Sequence, residues 1–256
     1  MSSHIHIESY GDGECFVISC GLSQTTANWR GLVKKYPNNR WVLFDPRGQG
    51  RSEIGKRPYS LSDHTRDLHR VWSSQNISKA TLLGFSHGGR VALNFAATYP
   101  GLVKNLILVS TAAHVSPLRR TLLRSWWELL NLGGVSAMAW GALPSILGPK
   151  ILADFQNNPE FLVKGLTARN TTEGLQAMLE GMSTYPPVES DAKRVDCPTL
   201  VLRGEKDPLI DEDDDAIFMK TIHDCHVEVF PACGHTLALE KTDKFWETLT
   251  SFLKPK

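Results

Sequence analysis

The chain has little of what marks a secreted, membrane-embedded or nucleic-acid-binding protein. Its five cysteines are odd in number and form no CxxC pair, so we expect neither a disulfide framework nor a zinc site. Twenty-eight basic residues nearly balance 27 acidic ones, which gives no electrostatic case for a nucleic-acid partner. No apolar run approaches the ~18 residues that cross a bilayer, so no membrane span is expected.

Further absences bear on cofactors and location. There is no GxGxxG or P-loop, and the histidines show no metal-ligand spacing with carboxylates or cysteines. We therefore expect no nucleotide, no metal and no other cofactor. The start MSSHIHIESYGDGE lacks a basic segment followed by an apolar core, so we read no signal peptide and predict a cytoplasmic protein.

Most of the 256 residues alternate short apolar runs with helix-period segments. Continuous hydrophobicity in the middle strands means burial on both faces, which predicts an α/β fold with a mostly parallel sheet wrapped by helices. An alternating segment at 4–10 predicts an antiparallel edge strand. The other strands are predicted at 15–19, 41–44, 81–84, 106–110, 199–202 and 227–230, and the clearest helices at 61–74, 87–99, 213–221 and 242–253.

The segment 114–192 departs from this alternation, because it has several helix-like stretches and no convincing strand. We predict a helical cap at 114–192 inserted into an α/β core made of 1–113 and 193–256. Such an insertion lies over the carboxyl ends of the strands, where doubly wound folds bind ligands. Its tryptophans, Trp126, Trp127 and Trp140, either line a cavity or pack the cap, and both can hold together.

The sequence GFSHG places Ser86 between a strand and a helix, in a G-x-S-x-G pattern. At such a turn a strained backbone lifts the serine oxygen above the sheet, and the glycines let the helix pass close to the strand. The amide of His87 lies at the helix N-terminus, where negative charge is favoured. The pattern predicts a nucleophile, while a glycine-rich turn with a serine cap is the plainer interpretation.

A serine nucleophile needs a base, and the base needs an acid that holds its tautomer. Asp207 follows the strand TLVLRG, and His235 follows the strand VEVF. Both therefore lie in loops at the carboxyl ends of neighbouring strands and can converge on Ser86. Asp211 is a rival acid, but it opens an acidic run that is typical of the first turn of a helix.

With these residues the chain resembles the α/β-hydrolase fold superfamily over nearly its whole length. The resemblance rests on four motifs: 84–89, DPRGQGRS at 45–52, GEKDP at 204–208 and CGHT at 233–236. It implies a serine hydrolase on a doubly wound, eight-stranded sheet with helices on both faces. In this family the DxRGxGxS stretch is structural, so we expect Asp45 and Arg47 to tie their loop together beneath the site.

The family also places a second oxyanion amide after the strand CFVIS, which the resemblance assigns to Leu22. Cys20 stands where relatives carry a histidine, and we read it as a small buried hydrophobe rather than a nucleophile. Ser23 is a candidate pocket residue. His87 is interpreted as a satisfied polar residue at the boundary of core and cap, with an alternative base as the other reading.

The expected reaction is hydrolysis of a small ester with an apolar acyl part through an acyl-enzyme on Ser86. Three cap cations, Arg119, Arg120 and Arg124, are either solvated surface or a contact for an acyl-carrier protein, as in esterases of carrier-bound pimeloyl esters. The chain also resembles enol-lactone and carbamate hydrolases. Lactone, thioester or C–C bond hydrolysis, a cofactor-free dioxygenase and a non-hydrolytic receptor remain the alternatives.

Overall fold

Seven strands form the central sheet of the computed structural model, which describes residues 4–254. Their order is β1-β3-β2-β4-β5-β6-β7, with β1 antiparallel to β3 and the other pairs parallel. The predicted doubly wound sheet is confirmed, although it has seven strands in the described residues rather than the expected eight. The strands are β1 (Ile7–Tyr10), β2 (Glu14–Ser19), β3 (Asn39–Phe44), β4 (Ala80–Phe85), β5 (Val103–Val109), β6 (Thr199–Gly204) and β7 (Cys225–Phe230).

The four helices whose bounds were predicted agree closely with the structure. Two of them have the predicted bounds, 61–74 and 242–253, and the other two differ by one residue at one end. The helices are α1 (Thr26–Lys35), α2 (Leu61–Ser74), α3 (His87–Thr98), α4 (Pro117–Ile146), α5 (Pro149–Asp154), α6 (Glu160–Thr167), α7 (Thr172–Met182), α8 (Glu189–Ala192), α9 (Glu212–Thr221), α10 (Leu237–Glu240) and α11 (Thr242–Leu253).

Apolar side chains on both faces of the sheet bury it between two helical layers. Alternate residues of a strand point to opposite faces, so Val17 packs with α2 and α3, while Phe16 and Ile18 pack with α1 and α11. All six residues of β4 are buried. The continuous apolar runs in the sequence therefore reflect burial on both sides, as a parallel sheet requires.

The loop DPRGQGRS fixes the carboxyl end of β3 by two separate sets of bonds. Asp45 accepts hydrogen bonds from the amides of Thr26 (2.7 Å) and Arg51 (2.9 Å). Arg47 binds Asp67 in α2 at 2.6 Å. The two residues therefore do anchor the loop, but each binds a different neighbouring element.

Five helices and no strand lie between β5 and β6 in the described chain, inside the predicted 114–192 segment. The 30-residue α4 is long and apolar enough to cross a membrane by length and composition, which the sequence did not suggest. Its dihedral angles leave the helical region at Gly133 and Gly134, so it forms two halves joined by a kink. Buried Trp126 and Met138 pack one half each against the protein. The division into core and cap domains stays a prediction.

Substituting Gly84 tests the close approach of β4 to α3. A Cβ at Gly84 would lie 2.5 Å from the Gly89 Cα, which is backbone and cannot move aside cheaply. We expect Gly84→Ala to lower the free energy of unfolding by about 2 kcal/mol or more, as overpacked sites do. The measurement is urea unfolding followed by circular dichroism.

Gly31→Ala is the matched control, because a Cβ there meets nothing within 4 Å and Gly31 lies inside α1. We expect this change to be neutral or to stabilise by up to about 1 kcal/mol, since alanine favours a helix over glycine. Equal unfolding free energies for the two variants would contradict the close packing of β4 against α3.

Candidate active site

Ser86 lies at the turn between β4 and α3, with φ 53° and ψ −117°. A positive φ is uncommon for a residue with a side chain, and such strain is found at nucleophile turns. The turn is held because the Ser86 amide donates to the Val109 carbonyl at 2.8 Å. Glycines make the geometry possible: a Cβ at Gly88 would lie 2.0 Å from the Ser19 carbonyl oxygen. The helix N-terminus thus lies against the end of β2.

Asp207 and His235 meet in the loops after β6 and β7. Asp207 Oδ2 lies 2.7 Å from His235 Nδ1, and both side chains are buried. The other carboxylate oxygen, Oδ1, accepts from the Leu209 amide at 2.9 Å, which fixes the carboxylate plane. Because Asp207 accepts at Nδ1, that nitrogen carries the proton and Nε2 is left with a free lone pair. A histidine in this state can take a proton from an alcohol.

The two loops are tied to each other and to the sheet. The Lys206 amide donates to the Cys233 carbonyl at 2.7 Å, and Ser110 Oγ donates to the His235 carbonyl at 2.7 Å. Buried Glu240 accepts from the amides of Gly234 and Gly148. Glu240 thus joins the histidine loop to the start of α5, and no sequence motif pointed to it.

One cavity of about 810 Å³ is lined by both Ser86 and His235. The imidazole also packs edge-on against Phe85, with ring centroids 5.1 Å apart, next to the serine in the chain. The structure therefore brings together residues that lie 149 positions apart in the sequence. Asp207 lies behind the imidazole. Their catalytic roles stay predictions.

The rival acid Asp211 lies elsewhere. Its side chain caps α9 by accepting from the Asp214 amide at 3.2 Å, as the acidic run predicted. Its carboxylate approaches His114 Nε2 only at 3.8 Å. Asp207 is the carboxylate that contacts His235.

The loop that carries Leu22 is held by Gln49, the unspecified position between the two glycines of DPRGQGRS. Buried Gln49 accepts from the Ser23 amide and donates to the carbonyls of Gly21 and Gln24, at 3.1 and 3.2 Å. The Leu22 amide has no acceptor within residues 4–254. Leu22 and His87 both line the cavity beside Ser86. Their amides stay the predicted donors to an oxyanion.

Cys20 and Ser23, on either side of residues 21–22, have different surroundings. Cys20 is 1% exposed, and burial together with Asp45 raises the pKa of its thiol, so it is the small buried hydrophobe that was expected. Ser23 lines the cavity and has a positive φ of 61°, and its contact with substrate stays a prediction. Its carbonyl accepts from Asn170 Nδ2 at 3.0 Å, which ties the loop to the segment between α6 and α7.

His87 has a polar partner of its own. Its Nε2 lies 2.9 Å from the Tyr185 hydroxyl, and the imidazole of His64 packs against it with centroids 4.9 Å apart. Burial and the nearby Arg90 lower the pKa of His87 to about 4. The ring is therefore neutral at pH 7. Only one of its nitrogens has a polar partner, because Nδ1 is buried without one among the described residues. The interpretation as a satisfied polar residue thus holds for Nε2 and not for Nδ1.

The three cap tryptophans have different environments. Trp126 is buried and lines the cavity, whereas Trp127 packs against the apolar cluster around it and Trp140 is 43% exposed. Neither Trp127 nor Trp140 is among the residues that line this cavity, so their predicted contact with substrate stays a prediction that the cavity lining does not support. The sequence shows where the helix lies but not which of its faces points inward, because the kink at Gly133 and Gly134 changes the helical register.

Arg119 corrects the predicted set of surface cations. It is buried, and its guanidinium donates to Asp214 and to the carbonyls of His114 and Leu209. It therefore holds the start of α4 against α9 and is not available to a carrier protein. Arg120 is exposed, and Arg124 pairs with Glu128 on the same helix.

The tertiary structure also forms a group that the spacing of residues did not reveal. Ligand atoms of His114, Asp211 and Asp213 lie within 4.8 Å of one another at the surface. Asp211 already caps α9, and His114 Nδ1 lies 3.0 Å from Asp214.

The low pKa of His87 makes folding sensitive to acid. The unfolded chain binds a proton near pH 6.5, whereas folded His87 resists protonation to about pH 4. The stability that neutral His87 gives is present above pH 6.5 and is lost as the pH falls toward 4. From pH 7 to pH 5 we expect a loss of about 2 kcal/mol from this residue.

His87→Gln retains a group that can bond Tyr185 but does not titrate. Urea unfolding of both proteins at pH 7 and pH 5 measures the difference. We expect the variant to lose about 2 kcal/mol less than the native chain over this interval. The same loss in both proteins would show that His87 does not carry the effect.

Comparisons with known proteins agree with this geometry. The chain matches the family described as "Serine aminopeptidase, S33" (Hydrolase_4) over residues 37–242. It is 28% identical to the Bacillus subtilis (strain 168) protein named "Putative 2-succinyl-6-hydroxy-2,4-cyclohexadiene-1-carboxylate synthase", over 94% of this chain and 90% of that one.

Two solved structures have the same fold. One is the α/β hydrolase MGS-M2 from a Medee basin deep-sea metagenome library, with a TM-score of 0.91, 22% identity and coverage of 100% and 96% of the two chains. The other is the enol-lactonase from Burkholderia xenovorans LB400, with a TM-score of 0.86, 21% identity and coverage of 98% and 96%. The predicted fold and the prediction of a hydrolase are confirmed, and the chain belongs to the serine aminopeptidase S33 family of α/β hydrolases.

Proposed function

We propose that this hydrolase cleaves a carboxylic ester in two steps through an acyl-enzyme on Ser86. His235 Nε2 takes the Ser86 proton as Oγ attacks the carbonyl, and Asp207 compensates the imidazolium that forms. The protonated imidazole then gives its proton to the leaving alcohol. Water, deprotonated by the same histidine, attacks the acyl-enzyme and releases the acid.

The observation that carries this proposal is the 2.7 Å contact of Asp207 with His235 Nδ1, beside a serine at a strained strand–helix turn. The contact leaves Nε2 as the basic nitrogen of a ring that lines the same cavity as Ser86. The amides of Leu22 and His87 would stabilise the oxyanion, a contribution of typically about 3 kcal/mol per donor.

Ester cleavage is the function that the comparisons support. Among the relatives are an enol-lactonase, esterases and monoacylglycerol lipases. Lactone, thioester and C–C bond hydrolysis are consistent with the same residues, although no observation favours them. The family is named for an aminopeptidase, which uses the same acyl chemistry on an amide.

An apolar acyl group fits the cap side of the cavity. The lining there is formed by aliphatic and aromatic side chains of α4 and of the loop after β6. This lining includes Leu123, Trp126, Met138, Leu143, Ile146 and Leu209. Burial of apolar surface against them would favour longer acyl chains.

Ser86→Ala should abolish ester hydrolysis, with a loss of about 10⁴-fold or more in kcat, while circular dichroism stays unchanged. Asp207→Asn should lose about 10⁴-fold, since the histidine would then be held in the wrong tautomer. The assay is 4-nitrophenyl ester hydrolysis, with fluorophosphonate labelling of Ser86.

Asp211→Asn is the matched control and should keep kcat/KM within about threefold, because changes outside a catalytic unit have small effects.

The alternative classes give different outcomes in the same assay. A dioxygenase or another reaction that uses the His–Asp pair alone would keep most activity in Ser86→Ala and lose it in His235→Ala. A receptor would show no turnover although its triad is intact. Activity retained by Ser86→Ala would refute the acyl-enzyme.

Narrowing the cavity at Leu123 should shorten the preferred acyl chain. With 4-nitrophenyl esters from acetate to decanoate, we expect Leu123→Trp to reduce kcat/KM about tenfold for the longer chains and less for acetate, since each lost methylene contact has a small cost that adds up. Leu132→Trp is the control, because Leu132 is 83% exposed. Equal effects on all chain lengths would place the acyl group elsewhere.

Location and protein partners belong to this proposal as well. All five cysteines are free thiols, which supports a reducing, cytoplasmic location. A carrier-protein contact on the cap would have to use Arg120 and Arg124, since Arg119 is buried.

A further inference from the structure

Four basic side chains line the cavity, and three of them have carboxylate partners. Arg90 pairs with Asp191 at 2.8 Å, Arg119 with Asp214, and Lys35 with Asp243. The fourth, Arg169, forms no ion pair and no side-chain hydrogen bond with any residue from 4 to 254. Among these four cations it is the one without a carboxylate in direct contact within the described residues, since Asp45 acts on it only as a more distant charge.

Arg169 is not an ordinary solvated surface arginine. The residue is half-buried, and its Nε is fully buried without an acceptor. A buried donor on a charged group is costly to leave unpaired, so such groups normally have a partner. Burial and the nearby Arg30 also lower the pKa of Arg169, which remains a cation at neutral pH.

The position of Arg169 is fixed relative to the oxyanion loop. Its carbonyl accepts from the Gly50 amide at 2.9 Å, and the next residue, Asn170, donates to the Ser23 carbonyl at 3.0 Å. Its guanidinium lies over α6, where a Cβ on Gly165 would be 3.3 Å from Arg169 Nη1. The Arg169 guanidinium is therefore held on the same wall of the cavity as Ser23.

We infer that Arg169 binds a carboxylate carried by the substrate, so that the ester hydrolysed at Ser86 is an anionic one. This inference rests on the proposed function. A planar guanidinium donates parallel hydrogen bonds to a carboxylate, and the two terminal nitrogens of Arg169 have no partner in the described protein with which such a ligand would compete. A single positive charge balances a monocarboxylate, whereas a phosphate dianion would leave a charge unpaired among apolar side chains.

The apolar lining and Arg169 together define the substrate class. The acyl group has an apolar body packed under α4 and a terminal carboxylate at Arg169. Matched 4-nitrophenyl esters test this: monoesters of diacids with four to eight carbons, each compared with the ester of the unsubstituted acid of the same length. The readout is the ratio of kcat/KM for the anionic ester to that for the neutral ester.

In the native enzyme the ratio should be highest at one chain length. Arg169→Gln should lower that ratio by about tenfold or more, since a charge-assisted bidentate contact is lost. Arg169→Lys should give an intermediate ratio, because lysine retains the charge but cannot donate two parallel hydrogen bonds.

Arg120→Gln is the control. Arg120 is exposed and does not line the cavity, so the ratio should stay within about twofold. An unchanged ratio in Arg169→Gln overturns the inference while ester hydrolysis itself stands.

A binding measurement keeps the inference testable if Ser86 is not the nucleophile. Titration calorimetry compares binding of the same free diacids to Ser86→Ala and to Ser86→Ala with Arg169→Gln. We expect binding to the single variant at one preferred length and a loss of about tenfold in the double variant. Equal affinity in both proteins, or no binding of any diacid to Ser86→Ala, overturns the carboxylate site.

Discussion

The close approach of α3 to the ends of β2 and β4 is the constraint on which the rest of the site depends. Glycines at 84 and 88 allow it, since a Cβ at either position would enter the neighbouring backbone. The approach places the first amide of α3 beside the loop after β2. Ser86 and the predicted oxyanion donors are therefore positioned by backbone packing, which is stiffer than side-chain contacts alone.

The contact between Asp207 and His235 has a similar origin in the sheet. β6 and β7 are parallel neighbours, so the loops that follow them leave the same edge and can hydrogen-bond to each other. Buried carboxylates then fix these loops: Asp207 holds the imidazole, and Glu240 holds the backbone beside it. The His235 imidazole is therefore oriented in two ways. Asp207 bonds the ring itself, and Glu240 bonds the backbone of the preceding residue, Gly234.

Charge distribution gives the cavity two different regions. Ion pairs neutralise Arg90, which joins α3 to α8, and Arg119, which joins α4 to α9. The lining under α4 is apolar, and the remaining cation lies on the wall beside Ser23. In a cavity of this kind an uncompensated charge acts on its ligand more strongly than it would in water. The same physics keeps His87 neutral behind the nucleophile.

The sequence by itself determined the fold class, the approximate positions of the strands and of four helices, and the residues around Ser86, because hydrophobic period and turn residues are local signals. It also indicated Asp207 rather than Asp211, since only the latter opened a helix. The tertiary structure alone decided that Trp126 faces the cavity while Trp140 faces solvent, and that Arg119 is paired while Arg169 is not. These outcomes depend on how a helix is rotated and on partners that are distant in the chain. Arg119 and Asp214, for example, are 95 residues apart, and no local sequence pattern encodes such a pair.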